Sequence, residues 1–165
     1  MRTWYPGILV LTSTVAIPEP LVPQHRPPWF VRAEFGQAEI YGTDRGAWGA
    51  VRVGRQVIPS GVLVADVGAT GSSAYEGFVT LEVAVEARPL HRAIVTPVLA
   101  VGAGGLVAPT EGAGGVLRLS LGLDVHIRRA GFRVALQRGK HWGYLEGPNT
   151  LFAGVEYRFG HTRVR

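Results

Sequence analysis

In Val116-Leu117-Arg118-Leu119-Ser120-Leu121-Gly122-Leu123-Asp124-Val125-His126-Ile127-Arg128, every odd position is aliphatic, and from Arg118 on every even one is polar, charged or glycine. A period of two is the spacing at which successive side chains leave a strand on opposite faces; a helix with this pattern would carry its charges on all sides. Gly77 to Arg88 repeats it, with Val79, Leu81, Val83, Val85 and Ala87 on one face and Thr80, Glu82, Glu86 and Arg88 on the other. These two segments predict strands with one strictly apolar face.

The same parity extends outward from them. Val31, Ala33 and Phe35 oppose Arg32 and Glu34; Gly49, Val51 and Val53 oppose Trp48, Arg52 and Gln56; Leu63, Ala65, Val67 and Ala69 oppose Asp66, Gly68 and Thr70. Phe132, Val134 and Leu136 oppose Arg133 and Gln137, and Leu151, Ala153, Val155, Tyr157 and Phe159 oppose Glu156 and Arg158. Ala93 to Thr110 is uncharged over nearly the length of a membrane helix. Its Pro97, Gly102, Gly104, Gly105 and Pro109, with β-branched Ile94 to Thr96 and Val98, favour a strand running into a loop. About eight strands result, an even number that suits a closed antiparallel meander. The spacing predicts short turns at Ile58–Gly61, Pro89–His91 and Arg129–Gly131, longer loops at Gly104–Gly115 and Gly139–Asn149, and short loops at Tyr41–Gly46 and Gly71–Ala74.

Composition narrows the classes. The 165 residues suit one domain, 47% are hydrophobic against 18% charged, and there are 23 glycines and no cysteine. Disulfides, thiolate metal sites and a cysteine nucleophile are thereby excluded. The formal charge of +5 would suit nucleic acid if the bases shared an exposed face. Instead they alternate with apolar residues or gather at turns, so nucleic acid is not an expected partner.

Domain boundaries follow. Residues 1–16, with Arg2 and an apolar run from Ile8 to Ala16, read as an export signal, its boundary open to about residue 22. Residues 17–28 are a proline-rich linker, 29–160 the barrel, and 161–165 a basic tail.

Alternation alone also describes a soluble barrel. The apolar face, however, is almost purely aliphatic, while the polar face mixes both charge signs with Gly and Ala. That suits hydrocarbon outside and a narrow charge-paired lumen inside, since a mid-bilayer Arg or Lys costs roughly 2–4 kcal/mol. Trp29, Phe30, Phe132, Tyr157 and Phe159 would mark one membrane interface, and Tyr41, Trp48, Tyr75 and Trp142 the other.

Trp29 to Gly160 resembles the small outer-membrane barrels of the OmpA-like and opacity-type, porin-like kind. The resemblance is carried by Ala153-Gly154-Val155-Glu156-Tyr157-Arg158-Phe159, similar to their terminal-strand signal, and by Thr96-Pro97-Val98-Leu99-Ala100-Val101-Gly102-Ala103-Gly104, similar to a Pro-apolar-Gly-x-Gly strand. It implies an all-β, antiparallel up-and-down transmembrane barrel in the outer membrane of a Gram-negative-type bacterium. Its partners would be outer-membrane lipids and the barrel-assembly machinery, the latter reading Val155, Tyr157 and Phe159.

The expected lumen network is Arg32, Glu34, Arg52, Asp66, Glu82, Glu86, Arg118, Asp124, His126, Arg133, Glu156 and Arg158. The expected lipid-facing set is Val79, Leu81, Val83, Val85, Leu117, Leu119, Leu121, Leu123, Val125 and Ile127. No catalytic residue, cofactor or metal is expected: the five histidines form no ligand pair at strand or helix spacing. His126 would need a nucleophile on the lipid side to act like an outer-membrane lipid A deacylase, whose histidine is followed two positions later by a serine; here Arg128 stands in that place. Arg88, His91, Arg92, Arg128, Arg129, Arg163 and Arg165 would ring one rim and attract anionic headgroups. The leading function is a structural, adhesive or narrow-pore barrel without enzyme activity. Two alternatives are an exported soluble barrel binding an apolar ligand and an outer-membrane lipid-modifying enzyme.

Overall fold

The computed structural model describes residues 29–40, 44–58, 62–74, 77–90, 93–109, 112–142 and 148–160. The segments expected to be an export signal, a linker and a basic tail lie outside them. Eight strands follow in order: β1 (Trp29–Ile40), β2 (Asp44–Gln56), β3 (Leu63–Ser72), β4 (Phe78–Ala87), β5 (Val95–Ala108), β6 (Gly112–Ile127), β7 (Ala130–Trp142) and β8 (Asn149–Phe159). Each pairs antiparallel with the next and β8 pairs with β1, so the sheet closes into a barrel and no strand edge is left open.

Ala93 to Thr110 contributes β5, and the rival helix is not formed. Pro97 is accommodated by register. The His126 amide donates to the Ile94 carbonyl, so residues 94, 96 and 98 bond to β6 while position 97 turns its nitrogen toward β4. The β4 ladder starts only at Ala87↔Leu99, so the missing donor interrupts nothing.

The loop expectation is corrected. Gly104–Gly115 is not a long loop, because β5 and β6 pair up to Ala108↔Gly112 and leave 109–111 between them. Gly139–Asn149 shrinks to 143–148. Backbone pairing tolerates glycine when the partner strand is in register, so Gly105↔Gly115 and Leu106↔Gly114 extend the hairpin. The connections at the rim holding Trp29 and Phe159 are 57–62, 88–94 and 128–129, and they are not systematically shorter than those opposite.

Polarity is inverted relative to a water-soluble fold. Leu81, Val83, Leu121 and Leu136 are each more than 60% exposed, whereas Arg32, Arg52 and Arg88 are 1% exposed. On β6 the outward stripe from Leu117 to Ile127 covers about 25 Å of barrel height, taking ~3.3 Å per residue and a tilt near 40°. That matches the apolar band of a transmembrane barrel.

Candidate functional site: the charged interior

An eight-stranded bore is just wide enough for side chains to fill, and the sequence fills it by setting large residues against gaps. Arg52 pairs across the sheet with Gly68 and Asp66 with Gly54. Glu82 lies between Gly68 and Gly104, and Arg118 between Gly102 and Gly139. The space is real: a Cβ added at Gly68 would stand 2.5 Å from Arg52 Cγ, and one at Gly102 would stand 3.1 Å from Arg118 Nε. Glycine is thus what lets an arginine lie flat against the wall.

The buried charges are Arg32, Arg52, Arg88, Arg118, Arg133 and Arg158 with Glu34, Asp66, Glu82, Glu86, Asp124 and Glu156. Six cations face six anions, so the interior carries no formal net charge. Since an unpaired buried ion costs several kcal/mol, this balance is what allows the set to be buried at all.

The ions form two linked clusters. In the one nearer Trp29, Glu86 accepts from Arg32 (2.6 and 3.1 Å), Arg133 (2.7 and 2.9 Å) and Arg88 (2.8 Å). Arg133 also grips Asp124 with Nε and Nη2 at 2.6 and 2.8 Å. Glu156 accepts from Arg32 Nη2 (2.6 Å), Arg158 Nε (2.7 Å) and Arg88 Nη2 (3.1 Å), with His126 Nε2 at 3.1 Å. Forked guanidiniums meeting carboxylates in this way fix geometry as well as charge.

In the second cluster Arg52 reaches Glu34 (3.0 Å), Asp66, Glu82 and Thr70 (3.4 Å each). Arg118 Nε lies 3.1 Å from Glu82 Oε2 but at an angle that makes an ion pair and no hydrogen bond. Glu34 Oε1, 3.4 Å from Arg32 Nη1, joins the clusters.

An apolar layer packs the far end of the bore, and a single buried ring lies at the other. Toward the far rim Trp48 stacks tilted on Phe152 at 5.0 Å, Phe78 meets His141 edge-on at 5.5 Å, and Leu106 with Ala38, Ala74 and Ala108 completes the layer. At the other end the Phe30 ring sits under Arg32 at 4.7 Å and Arg88 at 5.6 Å, within cation–π range.

Every residue expected in the interior network is found there, His126 included. The expected outward set is also found outward. Val125 is the one half-covered member, because Val95 and Phe132 flank it in register. Val155, Tyr157 and Phe159 face outward at the end of β8. Three placements are corrected. Arg88 belongs to the interior and not to a basic rim, because the chain continues the strand parity one residue beyond β4 and three carboxylates draw it in. Phe30 and Trp48 point inward at the two ends of the bore instead of forming an interfacial belt. Tyr41 and Tyr75, and His91, Arg92, Arg163 and Arg165 of the expected rim, lie outside the described residues.

Asp124, His126 and Glu156 bring ligand atoms within 4.8 Å of one another, a grouping a metal ion could use. It joins β6 to β8, which linear spacing does not reveal. Yet Arg133 holds both oxygens of Asp124, and Arg32, Arg88 and Arg158 hold Glu156. A cation would enter among four guanidiniums, so the trio serves the ion-pair network.

No protein-family model matches the chain, and no curated protein matches it. Among solved structures, the chain is similar to Neisserial surface protein A (NspA), with a TM-score of 0.59 and 14% identity over 79% of this chain and 97% of that one. The attachment invasion locus protein Ail of Yersinia pestis is matched with a TM-score of 0.34 and 13% identity, over 83% of this chain and 100% of that one. The likeness to NspA is one of fold, and it agrees with the small closed barrel.

Proposed function

We propose that this chain is an outer-membrane barrel of a Gram-negative-type bacterium, with a structural or adhesive role and a closed lumen. One observation carries the reading: aliphatic side chains such as Val83, Leu121 and Leu136 point out at mid-strand, while Arg32, Arg52, Arg118 and Arg133 at mid-strand point in. Water outside would leave leucines such as Leu81 and Leu121 solvated over most of their surface, a cost of roughly 25 cal/mol per Å². Hydrocarbon outside removes that cost. Closure of the sheet satisfies the backbone within the band, the other requirement of a lipid environment. NspA, by name a surface protein, supports a place at the cell surface.

The alternatives lose their structural preconditions. A soluble binder of apolar ligands needs the Leu117–Ile127 stripe inside, and it lies outside. The lipid-modifying enzyme weighed from the sequence would use His126 on the lipid side, whereas His126 is inward against Glu156 and Arg158. A narrow pore is disfavoured by the Trp48 layer and the ion-pair clusters lying one above the other.

The test is fractionation with heat-modifiable gel migration. The protein should remain in the membrane after alkaline carbonate washing, and unboiled samples should migrate apart from boiled ones. Recovery in the soluble fraction, or migration unaffected by boiling, would overturn the reading.

A further inference from the structure

With the interior balanced, the formal +5 of the chain resides outside it, and its distribution is uneven along the barrel axis. At the rim holding Trp29 and Phe159, the described connecting residues 57–58, 62, 88–90, 93–94 and 128–129 include no Asp or Glu. Among the described residues, the two acids outside the interior clusters, Glu39 and Asp44, lie at the far rim.

The basic rim includes a built arc. Phe159, Trp29 and Arg55 occupy one register row on adjacent strands β8, β1 and β2. Trp29 and Phe159 are about two-fifths exposed, and the Arg55 guanidinium lies over the Trp29 ring, 5.2 Å from its centroid. Next to this row the Arg128–Arg129 turn is docked on β8, where the Arg158 amide donates to the Arg129 carbonyl at 2.8 Å. Arg128 itself has φ +56°, a left-handed conformation that glycine or asparagine adopts with less strain. A bulky cation is therefore held where backbone preference alone would not put one.

We infer that this arc, Trp29 and Arg55 with Arg128 and Arg129, binds the phosphate headgroups of anionic phospholipids. The inference rests on the membrane reading above. Amphipathic rings occupy the headgroup level of a bilayer, so Trp29 and Phe159 set the arc at phosphate depth. Three guanidiniums, with no acid outside the interior on this rim among the described residues, then supply the charge complement, with the fork geometry that phosphate oxygens accept.

The test uses the full chain inserted into vesicles of phosphatidylcholine alone or with phosphatidylglycerol, released in mild detergent and weighed by native mass spectrometry. The wild type should retain phosphatidylglycerol in preference to phosphatidylcholine. Retention should fall by roughly fivefold per neutralised arginine in R55Q/R128Q/R129Q and stay unchanged in the far-rim control R45Q/R138Q/K140Q. Equal losses in both variants, or no loss in the first, would overturn the inference while leaving the membrane reading in place. Failure to insert into either vesicle would overturn both. Should the rim variant not fold, the wild type decides alone: retention must drop at ~1 M salt, where charges are screened beyond about 3 Å, and retention unchanged by salt counts against the arc.

Discussion

Glu86 on β4 and Arg133 on β7 meet across the bore through two parallel hydrogen bonds of 2.7 and 2.9 Å, joining strands that are not neighbours in the sheet. Their contact is tertiary in the strict sense: backbone pairing does not require it. Because Arg32 and Arg88 converge on the same carboxylate, Glu86 is the hub of the cluster nearer Trp29.

Glu86→Ala therefore leaves three buried guanidiniums short of an anion. Breaking a buried pair from one side costs about 3–5 kcal/mol, and a loss of that order is expected in the unfolding free energy of the barrel refolded in lipid, read as a lowered urea midpoint at unchanged slope. A midpoint within error of wild type would mean that water or ions already screen the cluster.

Gly68→Ala and Gly71→Ala form a matched pair. The first drives a methyl group into the Arg52 stem and against the Val51 carbonyl oxygen, and the second meets nothing within 4 Å. Overpacking typically costs 1–3 kcal/mol, so the expected change is a loss of about 2 kcal/mol for Gly68→Ala, with Gly71→Ala neutral or better by up to ~1 kcal/mol. Equal effects on thermal unfolding would remove the argument that glycine makes room for arginine.

Leu121→Arg and Ile127→Arg probe the medium outside. Both positions are more than 60% exposed, so in water neither change should matter. In a bilayer the mid-stripe substitution should cost roughly 2–4 kcal/mol and the one at the strand end about 0–1 kcal/mol. Refolding titrations into vesicles measure the difference, and the absence of any depth dependence would count against hydrocarbon contact.

Reconstituted into a planar bilayer, the wild type should give no stable conductance steps, because the Trp48–Phe152 layer and two ion-pair clusters lie in series along the bore. Trp48→Ala with Phe152→Ala should also stay silent, since the clusters beneath are untouched. Ohmic steps from the wild type would refute closure.

The strands and the sorting of residues between faces were legible in the sequence, because period two is a local property that survives without knowledge of the partners. Trp48 shows how strictly it holds: parity with Arg52 placed it inside even where its aromatic character argued for an interface. The pairings across the bore were not legible. Nothing in the spacing of Glu86 and Arg133, or of Asp124, His126 and Glu156, announces contact, since it depends on closure and stagger of the whole sheet. Glycine misled in the β5–β6 hairpin, where composition suggested a loop and the register of facing strands made a ladder.

Arg32 on the first strand stands directly opposite Glu156 on the last. Were the closing seam to slip by two residues, Arg32 would face either Gly154 or Arg158, trading an attraction for a void or a repulsion. A mis-set closure would thus be recognisable by its electrostatics alone, and the chain carries its own proofreading mark at the final joint.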